Sequence, residues 1–78
     1  MTPSDNAIAD VLLDLAHQRG VGKTFCPSEV ARQLSDDWRP LMADVRRVAA
    51  TLDLRASQKG QTVDPLTAKG PIRLGLPG

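Results

Sequence analysis

The sequence predicts an α+β domain in which three helices precede a two-stranded antiparallel ribbon. Apolar residues recur at helical spacing in three successive segments, and after Leu52 the pattern changes to the apolar–polar alternation typical of a strand. The 78 residues are enough for one small domain and too few for two. We therefore predict a single domain over residues 1–78, with a core over about 4–74 and a frayed tail over 75–78.

The first helix is predicted from Thr2 to Arg19. Thr2 is a plausible N-cap with Pro3 in the first turn, and Gly20 favours the left-handed stop that often follows a helix. The apolar face consists of Ile8, Val11, Leu12 and Leu15.

The second helix is predicted to begin at Pro27 and to last about two turns. A very short strand over residues 23–25 precedes it, and Pro27 suits a first helical position, where its missing N–H has no intrahelical partner. The apolar stripe of this helix is Val30, Ala31 and Leu34. Residues 35–37 then form a tight connection rich in capping side chains.

The third helix is predicted from Trp38 to Leu52, with Pro40 in its first turn. Advancing 100° per residue separates an apolar face from a basic face with small residues between the arginines. The core face is Trp38, Leu41, Val45, Val48, Ala49 and Leu52. The basic face is Arg39, Ala43, Arg46, Arg47 and Ala50.

The ribbon begins after Leu52 with alternating residues from Leu54 to Gln58. Lys59-Gly60 is a turn signal, Val63 begins the return, and residues 72–74 read as a closing strand. The ribbon therefore has a basic tip that contains glycine.

Charge is segregated along the chain, although the formal net charge is only +1. Residues 1–37 carry three Lys and Arg against six Asp and Glu, whereas residues 38–78 carry seven against three. Such asymmetry between two halves is a recognised hint of contact with nucleic acid or a membrane.

Composition excludes several classes of protein. Phe25 and Trp38 are the only aromatic residues, which argues against a surface that stacks single-stranded bases. The single Cys26 excludes an internal disulfide and a zinc site built from several thiolates. No apolar run approaches a membrane span and no signal peptide is legible, so we expect a cytoplasmic protein without a membrane, metal or cofactor.

Three local features resemble reactive sites, and none predicts catalysis. Gly22-Lys23-Thr24 lacks the earlier glycine of a phosphate-binding loop, because position 17 is His17. His17 has no legible nucleophile or carboxylate constellation around it. Cys26 precedes Pro27 at a helix cap, where a reactive thiol is one interpretation and a small buried apolar residue is the ordinary one. We expect no enzymatic activity.

Two helices joined by a tight turn and followed by a ribbon are typical of the winged helix-turn-helix, in which the third helix enters the major groove of DNA. The interpretation is a non-catalytic domain that binds duplex DNA. The predicted contact residues are Arg39, Arg46 and Arg47 on the third helix with Arg55, Lys59 and Lys69 on the β-wing. The alternative is a winged-helix module that binds a partner protein and no nucleic acid.

Five segments resemble a small bacterial winged-helix-like family of unknown function, DUF family 3253. They are residues 26–32 (CPSEVAR), 37–42 (DWRPLM), 58–60 (QKG), 63–65 (VDP) and 69–74 (KGPIRL). The resemblance covers most of the chain, roughly from Ile8 to Leu74. It implies the fold and a bacterial, cytoplasmic setting, and it implies no activity.

Overall fold

The helices form where apolar residues recur at helical spacing, and the computed structural model, which describes residues 3–77, confirms all three. The fold is α+β. In chain order the elements are α1 Asp5–Arg19, β1 Thr24–Phe25, α2 Pro27–Leu34, a 3₁₀ turn Arg39–Leu41, α3 Met42–Thr51, β2 Arg55–Gln58, β3 Gln61–Thr62 and β4 Arg73–Gly75.

Helix α1 begins later than predicted, because Ser4 caps it. The Ser4 hydroxyl accepts a hydrogen bond from the N–H of Ala7 at 3.1 Å, which satisfies one of the free donors of the first turn. Thr2, the predicted cap, lies outside the described residues. Gly20 ends the helix with a φ of 82°, in the region that favours glycine.

Helix α2 begins at Pro27 as predicted and is fixed at its start by Glu29. The Glu29 carboxylate accepts a hydrogen bond from the backbone N–H of Cys26 at 2.8 Å, and the same carboxylate pairs with Arg19 of α1 at 2.7 Å. One side chain therefore caps α2 and ties it to α1.

The third helix does not run unbroken from Trp38, because its first turn is 3₁₀. Pro40 has no N–H to donate. The N–H of Leu41 donates to the Trp38 carbonyl at 3.0 Å, the N–H of Met42 donates to Arg39, and the α-helix proper starts at Met42. The predicted span of residues 38–52 is thus corrected to a 3₁₀ turn followed by α3.

The sheet has four antiparallel strands in the order β1-β4-β2-β3, so the predicted two-stranded ribbon is wrong in strand number. The difference arises because β4 lies between β1 and β2. Phe25 of β1 is opposite Leu74, and Leu74 is opposite Ala56 of β2. All three side chains are buried, so the pairing adds apolar contacts to the backbone hydrogen bonds.

Strand β4 also extends into the segment 75–78 that was predicted to fray. Gly75 is buried and lies opposite both Thr24 and Arg55. A Cβ at this position would lie 2.8 Å from the backbone carbonyl oxygen of Lys23, so the close approach of β1 requires glycine. Gly78 lies outside the described residues.

One apolar cluster joins the helices to the sheet. Each helix packs against the other two, and α1 also contacts β1 and β4. The buried members are Ile8, Leu12, Leu15, Ala16, Phe25, Val30, Ala31, Leu41, Val45, Val48, Ala49, Ala56, Ile72 and Leu74. Trp38 and Leu52, predicted for the core, are half-buried at its margin. Between residues 3 and 77, no helix combines the length and apolar character needed to cross a membrane.

Candidate nucleic-acid interface

Arg46, on the predicted basic face of α3, binds the loop that follows β3. Its guanidinium donates to the carbonyl oxygens of Ala68 at 2.7 Å and Gly70 at 2.6 Å. Both acceptors are backbone atoms from a segment more than 20 residues away in sequence. Arg46 therefore fixes the position of the loop relative to α3.

Arg47 is paired with the start of α1. Its guanidinium donates to both carboxylate oxygens of Asp5, at 2.9 and 2.8 Å, and lies 3.4 Å from a carboxylate oxygen of Asp44. The hydrogen bonds from Arg47 lower the pKa of Asp5, and the same bonds raise the pKa of Arg47. The charge of Arg47 is thus balanced within the domain, although the side chain is half exposed.

Arg55 lies on the hairpin that β2 and β3 form. Its Nε donates to the Thr62 hydroxyl at 3.0 Å, and its terminal nitrogen lies 3.5 Å from the Gly60 carbonyl oxygen. These contacts cross from β2 to the turn and to β3. Arg55 therefore braces the hairpin from one side.

Lys59 lies at the tip of that hairpin, as predicted. Gln58 is opposite Gln61, and both turn residues have positive φ, 52° for Lys59 and 82° for Gly60, which is the type I′ pattern. Among residues 3–77, Lys59 is the one non-glycine residue with positive φ. Asparagine, aspartate and glycine adopt this conformation more readily than lysine.

Lys69 approaches the same hairpin from the loop that follows β3. Lys59 and Lys69 line one open groove between the hairpin and residues 69–71, and both lysines are exposed. The Gln58 amide donates to the carbonyl oxygens of Lys69 and Pro71, which holds this segment beside β2. The structure thus brings together the two lysines that the sequence predicted as wing contacts.

Arg39 has a partner that the sequence analysis did not predict. Its guanidinium carbon lies 4.8 Å from the centroid of the Trp38 ring, and that of Arg32 lies 4.7 Å from the same centroid. Both arginines are exposed and the ring is half-buried. Arg32, in the last turn of α2, was not among the predicted contacts. The sequence offered one signal for this contact: Arg32 is only six residues before Trp38, and the tight connection brings the end of α2 beside the start of the third helix.

A sequence model of the family described as "Protein of unknown function (DUF3253)" matches residues 5–77. The chain belongs to this DUF3253 family. The match confirms the resemblance drawn from the five sequence segments and spans every helix and strand of the domain. Among curated proteins, none matches the DUF3253 chain significantly.

The features of the DUF3253 domain that resemble reactive sites are held by local contacts. His17 is exposed, and its Nδ1 lies 2.7 Å from the carbonyl oxygen of Leu13, one helical turn earlier. The half-buried Cys26 thiol accepts a hydrogen bond from the Ser28 hydroxyl at 3.1 Å. Within the described part of the chain, no three His, Cys, Asp or Glu side chains are grouped to hold a metal ion.

Proposed function

We propose that this chain is a winged helix-turn-helix domain that binds duplex DNA and has no catalytic role. The topology supports this proposal. Helices α2 and α3 are joined by residues 35–41, and the short β1 strand between α1 and α2 pairs with the last strand, which in turn pairs with the hairpin strand β2. The helix-turn-helix would then be α2 and α3, and the wing would be the β2–β3 hairpin with residues 63–71.

The observation that carries the proposal is the placement of two lysines on the wing. Lys59 occupies a backbone conformation that costs a lysine free energy, and it lines a groove with Lys69. A protein that needed only a soluble turn has asparagine as a less strained choice. Lysine at the tip supplies a charge that phosphate binds, and this charge would explain the strain.

The third helix supports the proposal through its small exposed residues. Ala43 and Ala50 are exposed on the same face as the arginines, so at these two positions no large side chain separates the backbone of α3 from a ligand. Arg39 is exposed at the start of this element. It is the residue of the helix that we expect to reach the duplex first.

The six predicted contact residues divide into three groups in this proposal. Arg39, Lys59 and Lys69 would contact phosphates or base edges directly. Arg46 and Arg55 would hold the wing in place through their intramolecular hydrogen bonds, and Arg47 would contribute little net charge because Asp5 balances it. We also propose a bacterial, cytoplasmic setting. The family resemblance implies it, and a free Cys26 agrees with a reducing compartment.

One observation favours the alternative, a module that binds a protein partner. Three of the six basic residues use their donors within the domain, so the positive surface available to DNA is smaller than the sequence suggests. A protein partner needs fewer free cations than a duplex. Recovery of a specific protein through the α3 and wing surface, with no binding of duplex, would favour this alternative.

The test is fluorescence anisotropy of a labelled mixed-sequence duplex across a range of salt concentrations. We expect Lys59→Asn and Lys69→Gln each to reduce the log–log salt slope by about 0.9, the value of one lost phosphate contact. Lys59→Asn should at the same time raise the free energy of unfolding by about 0.5 kcal/mol, because asparagine is less strained at positive φ.

The matched control is Lys23→Gln. Lys23 is exposed and precedes β1, which is the edge strand on the opposite side of the sheet from β3. Its substitution removes the same charge beside the edge strand opposite β3 and outside the groove that Lys59 and Lys69 line. The DNA proposal is wrong if the wild-type domain does not bind duplex at roughly 50 mM salt, where nonspecific binding is strong. It is also wrong if the control weakens binding as much as the wing variants.

A further inference from the structure

The arginines of this domain fall into two groups by the partner of the guanidinium. Five of the seven donate hydrogen bonds to oxygen atoms of the domain: Arg19, Arg46, Arg47, Arg55 and Arg73. Among residues 3–77, Arg32 and Arg39 have no oxygen partner, and both lie against the Trp38 ring. The two arginines that donate to no oxygen atom among residues 3–77 thus lie beside the same ring.

A stacked guanidinium keeps its donors available. The cation–π contact uses the flat face of the group, whereas its five N–H bonds point outward in the plane of the group. The contact with the ring therefore restricts the orientation of Arg32 and Arg39, and among residues 3–77 neither guanidinium donates to an oxygen atom. Less conformational entropy is then lost when either one binds an acceptor.

The two cations also lack a neutralising charge. Asp36 and Asp37 lie between them in sequence, yet within the described part of the chain neither acid forms an ion pair with Arg32 or Arg39. Two positive groups beside one ring repel each other, and anions that bind to them relieve this repulsion. The cluster therefore favours an anionic ligand that offers oxygen acceptors to each guanidinium.

We propose that Arg32, Trp38 and Arg39 form a clamp that binds backbone phosphates of duplex DNA at the connection between α2 and α3. The clamp rests on the proposed function and adds Arg32 and Trp38 to the interface. In a helix-turn-helix the first helix crosses the DNA backbone while the second enters the groove. Arg32 lies in the last turn of the first of these helices, and Arg39 begins the 3₁₀ turn that precedes the second. A phosphate oxygen pair accepts the parallel N–H bonds of a guanidinium, and Trp38 acts as a positioning residue for both.

The experiment measures the salt slope of duplex binding for Arg32→Gln and Arg39→Gln, with Lys23→Gln as the control. Both substitutions are at exposed positions. Each clamp variant should reduce the slope by about 0.9 and weaken binding about tenfold at roughly 50 mM salt. Arg32→Lys should restore the slope, because it retains the charge. If the cluster only stabilises the turn, the variants lower thermal stability and leave the slope unchanged.

Trp38 provides a second readout, because the chain has one Trp and no Tyr. Titration with unlabelled duplex should change the Trp38 emission, and Arg32→Gln should reduce that change. If wing variants lower the slope and Arg32→Gln behaves as Lys23→Gln does, the clamp is wrong and the proposed function stands. If the wild-type domain binds no duplex, both are wrong. An equal emission change with polyglutamate would also overturn the assignment to phosphate.

Discussion

The helical layer and the segment of residues 59–71 are held in place by different forces. Apolar side chains from α1, α2 and α3 are fully buried against one another and against β1 and β4. None of residues 59–71 is buried. Their position depends on hydrogen bonds from outside the segment. The side chains of Arg46 and Gln58 donate to four backbone carbonyl oxygens within it.

This difference indicates that the stability of the whole domain and the position of residues 59–71 depend on different contacts. Burial of apolar area dominates the free energy of unfolding, whereas a solvent-exposed hydrogen bond adds little to it. A segment with few apolar contacts opens locally at a low free energy cost. Substitutions in the helical layer should therefore unfold the domain, and substitutions of Arg46 or Gln58 should release the segment of residues 59–71 alone.

Leu12→Ala should have the largest effect. Leu12 is fully buried in α1, and its truncation leaves a cavity that costs about 2–5 kcal/mol. Urea unfolding followed by Trp38 emission measures the loss. The control is Leu66→Ala, the same change at a residue of the 59–71 segment that is 60% exposed. Its free energy of unfolding should stay within about 0.5 kcal/mol of wild type. Equal losses for the two variants would contradict the separation of the two regions.

Arg46→Gln should have an intermediate and local effect. It removes the hydrogen bonds to Ala68 and Gly70, so we expect the free energy of unfolding to fall by about 1 kcal/mol. Amide exchange over residues 66–70 should accelerate more than exchange in the helices. Arg46→Lys keeps the charge without the planar fork, and should release the loop almost as much. If amide exchange over residues 66–70 is unchanged in both variants, Arg46 does not position this loop.

Glu29→Ala should have the smallest effect, and that effect depends on pH. The hydrogen bond from the Cys26 N–H, followed by the contact with Arg19, lowers the pKa of Glu29. A carboxylate with a lowered pKa stabilises the fold above its unfolded-state pKa, and this stabilisation is lost as pH falls through the folded-state value. The variant should lose about 0.5–1 kcal/mol at neutral pH and converge with wild type in acid.

The control for this pH dependence is Asp10→Ala, which removes an exposed carboxylate of α1 that has no hydrogen bond among residues 3–77. Thermal melts at several pH values measure both variants. A constant difference in melting temperature between Glu29→Ala and wild type across the acid range would show that the charge of the Glu29 carboxylate does not contribute to stability.

Local patterns predicted the helices, the Lys59-Gly60 turn and the apolar positions, because each depends on neighbours a few residues apart. Periodicity did not predict the four-stranded sheet, since Phe25 and Leu74 are far apart in the chain and form one pair. It also identified Arg46 and Arg47 as facing outward without revealing their partners. Helical spacing defines the face of the helix on which a residue lies, whereas the partner of that residue depends on tertiary packing.

The central place of β4 determines when the sheet is able to form during synthesis. All three helices are complete at Thr51, whereas β1 and β2 have no strand between them until residues 73–75 have been made. At ordinary translation rates this interval is about 1–5 s, long compared with helix formation. Until then β1 and β2 each lack the partner that β4 provides, and Gly75 is the residue whose close approach to β1 lets the sheet close.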